Sequence, residues 1–334
     1  MMNATERALY GALLGGAAGD AYALPYEGLS PRRAAKWLRP RRYALLPLVG
    51  GGMVSDDTEH AVMTVQAYAR AAGDAEAFRR ALRRRMMGWL AALPAGIGMA
   101  TLKSIVKMYF GVRRCGTFSA GNGAAMRAAV LGVLCADVAR LREWCAVSSE
   151  LTHTDPKAVQ GALAIALLAW AEHRTPNQSV DEIMAFVCAE LDDAELCRRL
   201  RDYAPDPKRG NSGYVYQTVP AVFAAWRQYR DAPLDGMDAL IRQGGDTDTV
   251  CALFGGVAGV RHGQALFDGI GGRWYEPVIT PAWLARLAAQ AVRADETCTP
   301  QPAPCFGGIV TLLRNVVFMA VVLAHGLRRL LPPY

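Results

Sequence analysis

Two short acidic runs carry the chemistry. Ser55-Asp56-Asp57-Thr58 follows the glycines at 50–52, and Asp246-Thr247-Asp248-Thr249 follows Gly244-Gly245. Each opens a stretch of small and apolar residues at helical spacing. One such run would be explained as a helix cap, because Asp, Ser and Thr satisfy the free N–H groups of a first turn and acids suit the helix dipole. Asp56 with Glu59 even fits a variant capping box. Two runs hold more carboxylates and hydroxyls than caps need, and adjacent carboxylates repel unless a cation lies between them. These are hard oxygen ligands. With no thiol or imidazole beside them they favour Mg²⁺, Mn²⁺ or Ca²⁺ over zinc or copper. Four aspartates converging from two helix starts could hold two cations, lower the pKa of a bridging water and orient substrate hydroxyls.

Three other segments could complete a site. Gly121-Asn122-Gly123-Ala124-Ala125-Met126-Arg127 places glycines at a helix start, where backbone N–H groups can approach a phosphate. Leu151-Thr152-His153-Thr154-Asp155-Pro156 precedes another helix; taken alone, His153 there reads as a structural or capping residue. Gly15-Gly16-Ala17-Ala18-Gly19-Asp20 permits a tight helix contact, and Glu27 shortly after it is a spare acid within reach of a metal.

The elements that must position these residues are helices. Apolar residues recur at three-to-four spacing over 57–72, 75–92, 124–135, 157–172, 179–191, 215–229, 247–261 and 282–293, while alternating strand patterns are scarce. Loops fall at 50–52, 94–98, 117–123 and 204–213. The 334 residues are 52% apolar and 20% charged, enough for a large core, and only 8% aromatic, with Ala and Gly abundant. That mixture suits closely packed helices and argues against a β-sandwich or disorder. An all-α catalytic domain is expected over 1–295. The net charge of +7 comes mostly from arginine, with no basic run interleaved with aromatics, so a nucleic-acid partner is not expected. Eight scattered cysteines form no Cys-x-x-Cys pair, and no secretory signal is read, so free thiols in a cytoplasmic protein are expected.

After 295 the composition changes. A Pro-rich linker is expected over 296–305 and an apolar helix over 306–334. On a helical projection Thr311, Arg314, Asn315, His325, Arg328 and Arg329 share one narrow face of the 306–331 segment. It could dock on the domain or on another chain, lie in a membrane interface, or anchor the chain. Arg314 would cost about 2.5–3.5 kcal/mol at mid-membrane depth, which counts against a span. Docking is favoured because the polar stripe suits a soluble or interfacial helix.

Taken in order, Gly-Asp-Ala at 19–21, Ser-Asp-Asp-Thr at 55–58, Gly-Asn-Gly-x-x-Met-Arg at 121–127, Thr-His at 152–153 and Gly-Gly-Asp-Thr-Asp-Thr at 244–249 resemble the ADP-ribosylglycohydrolase family, over roughly 5–295. The resemblance implies an orthogonal multi-helix bundle with a central cleft holding two Mg²⁺ or Mn²⁺ ions. It implies Ser55, Asp56 and Asp57 as one ligand set and Asp246, Asp248 and Thr249 as the other. Either Asp57 or Glu27 would act as general base. Gly121, Asn122, Gly123, Met126, Arg127 and His153 would contact ADP-ribose. Ser55 stands where Thr is usual, and keeps an oxygen ligand. Ser119 stands where some arginine-directed members carry an acid, which leaves the leaving group open. The implied activity is removal of ADP-ribose from modified proteins, arginine first. Serine-linked and O-acetyl-ADP-ribose hydrolysis, or a catalytically inactive ADP-ribose-binding protein, are the alternatives. An antidote role against an ADP-ribosylating toxin would follow, with residues 306–331 contacting a toxin or a membrane. A two-metal phosphohydrolase is the competing chemistry, and it would release phosphate.

Overall fold

A computed structural model describes residues 2–45, 51–305 and 307–330. Gly50 of the expected loop, and Phe306 and residues 331–334 of the expected apolar segment, lie outside the described residues. Sixteen α-helices make up most of the described chain: α1 (Ala4–Ala23), α2 (Pro31–Trp37), α3 (Asp56–Ala71), α4 (Ala75–Ala91), α5 (Met99–Tyr109), α6 (Ala129–Leu134), α7 (Val138–Glu150), α8 (Pro156–Arg174), α9 (Val180–Glu190), α10 (Ala194–Arg201), α11 (Val215–Tyr229), α12 (Pro233–Gln243), α13 (Thr247–His262), α14 (Gln264–Gly269), α15 (Pro281–Thr297) and α16 (Gly308–Arg328). Two-residue strands, β1 (Gly51–Gly52) and β2 (Arg273–Trp274), pair in parallel.

The pairing of α1 with α13 organises the molecule. Gly11 lies against Gly259, Gly15 against Gly255 and Gly19 against Cys251, so the helices run antiparallel. A Cβ on any of these α1 glycines would sit 2.1–2.3 Å from a carbonyl oxygen of α13. Only a helix face without side chains lets two backbones approach so closely. The consequence is topological: the end of α1, carrying Asp20, meets the start of α13, carrying Asp248. A 3₁₀ turn, Leu24–Tyr26, then leads to Glu27. Gly28 N–H donates to Gly245 O at 2.7 Å and Gly245 N–H to Leu29 O at 2.8 Å, tying the Glu27 loop to the turn before Asp246. Gly245 holds φ +79°, and a Cβ there would strike Asn211 O.

α8 runs through the interior, with Ala162 to Ala169 buried without a break. Its apolar character all round is what a central helix requires.

The helix expected over 124–135 divides in two. Residues Asn122–Arg127 form a 3₁₀ turn, and α6 follows. Arg127 bonds back to Gly123 O at 2.6 Å, and Asn122 N–H donates to Gly213 O at 2.9 Å. Both bonds hold this segment in a tighter turn than an α-helix. α15 continues through Thr297, into the first residues of the expected linker.

Beyond the linker, α16 docks by its polar side. Arg314, Asn315 and His325 are buried. Arg314 bridges Glu59 (2.9 Å) and Glu276 (2.6 Å). Asn315 donates to Ala92 O at 2.8 Å, and His325 Nε2 lies 3.0 Å from Pro25 O. Phe318 joins Leu24, Leu45, Met53 and Ala95 in a small second core.

Candidate active site

The cleft forms where helix starts converge. It encloses about 440 Å³, and Glu27, Ser55, Asp56, Asp246, Asp248 and Thr249 line one side. Gly121, Asn122, Gly123, Met126 and His153 line the other. Ala95, Gly96, Met99 and Thr101 also line it, as do Phe318 and Val322 of α16.

Capping explains little of the acid cluster. Ser55 is the N-cap of α3, its Oγ accepting from Asp57 N–H at 3.3 Å. The variant capping box does not form, because Glu59 accepts from Trp89 Nε1 at 2.6 Å and pairs with Arg314 instead. Asp246 occupies the N-cap of α13 without a capping bond from its side chain; its Oδ2 accepts from Asn122 Nδ2 at 2.6 Å. The two helix starts touch directly, where Thr249 Oγ1 donates to Asp57 Oδ2 at 3.0 Å.

Asp20 lies in a quoted motif but is not among the expected site residues. It is fully buried, and its Oδ2 accepts from Ser55 N–H (2.9 Å), Thr58 N–H (3.2 Å) and Thr58 Oγ1 (2.5 Å). A carboxylate from α1 thereby caps α3 from outside and fixes the first acidic run. Its signal is the Gly-Asp-Ala motif at 19–21, one of those that carry the family resemblance, which by itself assigns the acid no role.

The electrostatics describe five buried or half-buried acids without counter-ions. Asp20, Asp56, Asp57, Asp246 and Asp248 make no ion pair with Lys or Arg among the described residues. Burial pushes Asp56 and Asp57 well above the usual carboxylate range, and neighbouring acids push further: Asp20 and Glu59 on Asp56, Asp56 and Asp20 on Asp57. Asp248 is raised by burial, then by Glu27 and Asp246. Asp20 rises to about 6 through burial. One oxygen each of Asp20, Asp57 and Asp248 is buried without a hydrogen-bond partner. Buried acceptors in that state want a proton or a cation. The donor set therefore fits hard divalent cations, although no three His, Cys, Asp or Glu side chains among the described residues are already gathered as a metal-ligand group.

Asp57 lies beneath the cleft floor, engaged by Ser55 and Thr249, whereas Glu27 opens onto the cleft. Arg127 is placed differently from a ligand contact. It is fully buried, with its guanidinium bonded to Ser148 Oγ (2.9 Å), Ser148 O (2.8 Å), Thr152 Oγ1 (2.7 Å) and Gly123 O. Those bonds brace the 121–127 turn against the Thr152-His153 bend. His153 Nδ1 lies 2.9 Å from Thr152 Oγ1, and its ring packs close under Gly121 and Gly123. Burial, then the Arg127 charge, lowers His153 to about 3, so a neutral ring faces the cleft.

The family model for ADP-ribosylglycohydrolases matches residues 1–301. The chain is 29% identical over 297 residues to an uncharacterised protein of Archaeoglobus fulgidus, covering 83% of this chain and 93% of that one. It is 27% identical over 271 residues to the ADP-ribosyl-[dinitrogen reductase] glycohydrolase of Rhodospirillum rubrum, covering 77% and 86%. A solved structure titled as an ADP-ribosylglycohydrolase-related protein complex shares the fold, with a TM-score of 0.68 at 24% identity over 88% of this chain and all of that one. The chain belongs to the ADP-ribosylglycohydrolase family. It is accordingly a hydrolase that removes ADP-ribose from modified substrates, in a family that generally depends on divalent metal.

Proposed function

We propose that the chain hydrolyses ADP-ribose from arginine side chains of modified proteins, using two Mg²⁺ or Mn²⁺ ions. The supporting observation is the junction of the two acidic helix starts at Asp57 and Thr249, beneath a cleft with uncountered acids on one side and a glycine-lined turn on the other. Ser55, Asp56 and Asp57 would hold one ion, and Asp246, Asp248 and Thr249 the other. Bound there, the cations would acidify a water and grip ribose hydroxyls.

The remaining steps belong to the chain's own groups. The glycine-lined turn at 121–123 and the neutral His153 ring would orient the distal ribose and diphosphate. Glu27 would take the proton of the attacking water, since it faces the cleft while Asp57 is committed to Thr249 and Ser55. Water oxygen then bonds to C1 of the ribose as the C1–N bond breaks, through an oxocarbenium-like transition state. The departing guanidine takes its proton from solvent. Arg127 would hold the binding turn without touching the ligand. The same chemistry suits an antidote to an ADP-ribosylating toxin, which is tested by whether co-expression restores growth of toxin-producing cells.

The experiment for the reaction is mass spectrometry of an arginine-ADP-ribosylated protein incubated with the chain. Free ADP-ribose and restored arginine are expected. Release of phosphate, or no release, would contradict the proposal.

A further inference from the structure

α16 is inside out relative to a helix on a water-facing surface. Its polar side chains are spent on the domain, through Arg314 to Glu59 and Glu276, Asn315 to Ala92 O and His325 to Pro25 O. Its outward side presents Ile309, Leu313, Val317, Leu323 and Leu327, each more than half exposed. No charged residue interrupts that side from 309 to 327. The helix has 21 residues, about 30 Å of length, so the uncharged strip is on the order of 300 Å² in projection. An apolar groove of about 550 Å³ runs beside it, walled by Leu45, Met53, Tyr275, Pro277 and Val278.

We propose that the outer face of α16 and this groove seat the protein flat on an anionic lipid surface. A second copy fits the face less well. The exposed apolar strip includes Val310, Val316 and Met319 as well, wider than a two-position seam, and it lacks the flanking charges that set register between paired helices. A spanning helix also fits less well. It would drag Arg314 and Asn315 into hydrocarbon and leave Glu59 and Glu276 buried without their cation. A helix lying in the interface keeps every polar contact and buries only the outward side. Charge selects the lipid: Arg314 is spent on its two buried acids and Arg329 also donates to Glu27 O, but Arg328 and Arg329 end the helix, residues 297–334 contain no Asp or Glu, and the chain carries +7 overall. Because Phe318 and Val322 of the same helix line the cleft, a chain seated this way holds its cleft about one helix diameter, roughly 10 Å, from the headgroups. Its substrates would then be modified proteins at the membrane surface.

The test is flotation of the full chain with vesicles of phosphatidylcholine alone or with phosphatidylglycerol added, alongside light scattering for mass. Binding to the anionic vesicles that weakens with salt is expected, with at least about a tenfold loss in the double variant Leu313→Glu, Leu323→Glu. Both positions are exposed, so unchanged circular dichroism and thermal unfolding of the variant would keep the comparison fair. No flotation, equal binding to neutral vesicles, equal binding by a folded variant, or a concentration-dependent dimer without flotation would each overturn it. None of these readings depends on hydrolase activity.

Discussion

Thr249 Oγ1 donates to Asp57 Oδ2 at 3.0 Å across 192 residues of chain, joining the first turn of α13 to the first turn of α3. Each residue sits on one of the two acidic runs, so a single bond registers both halves of the candidate centre. Thr249→Val removes the donor and leaves the carboxylate oxygen more exposed to its neighbours' charge. We expect a stability loss of about 1–2 kcal/mol in urea unfolding and weaker cation binding by calorimetry. Thr249→Ser should restore most of both.

The α1–α13 crossing should tolerate no side chain. Gly15→Ala drives a methyl to 2.3 Å from Gly255 O. The helices must part, at about 3 kcal/mol or more, and the parting also separates Asp20 from Asp248. Denaturant unfolding measures the first effect. Gly88→Ala, where nothing lies within 4 Å of the added atom, is the control and should be neutral or slightly stabilising.

Arg127 should behave as a brace. Arg127→Met strands acceptors on Ser148, Thr152 and Gly123, costing about 3 kcal/mol. Arg127→Lys should recover little, because a point charge cannot replace a planar fork. A phosphate-binding arginine would give the opposite pattern, with stability kept and ligand affinity lost, so unfolding and ADP-ribose titration together separate the roles.

The acids set a pH dependence whose sign is fixed. Asp56, Asp57, Asp246 and Asp248 are raised in the folded chain, chiefly by burial. The cation-free fold therefore binds more protons than the unfolded chain, and loses stability as pH climbs through those raised values. Divalent cations would replace the protons. The rise in Tm on adding Mg²⁺ or Mn²⁺ should be small near pH 5 and grow toward pH 8. His153, lowered to about 3, acts oppositely, since its contribution is complete above about pH 6.5 and fades as pH falls below that. A Tm gain independent of pH would contradict cation binding at these acids.

Much of this was legible in the residues, for identifiable reasons. The amphipathic helices α3, α4, α11 and α15 announce themselves by periodicity, because one face meets water and the other the core. α1 escapes that test, since small residues surround it and its contacts are backbone to backbone. The acidic runs could be found because carboxylates crowd there beyond the needs of a cap. Asp20 could not be ranked the same way, for its partners Ser55 and Thr58 are distant in sequence. The polar stripe of α16 was visible, but periodicity says only that two faces differ. Which face turns inward depends on Glu59, Glu276 and Ala92 O, positions far up the chain. Arg127 shows the same limit, as its burial follows from α7 and not from its own loop.

The most direct measurement is release of ADP-ribose from an arginine-modified protein by the wild-type chain, by Asp57→Ala and by Asp246→Ala, with and without chelator. Mass spectrometry should find free ADP-ribose for wild type with Mg²⁺ or Mn²⁺, and none after chelation or with either variant. Wild-type turnover by a folded Asp57→Ala or Asp246→Ala protein would contradict a shared centre at the two helix starts.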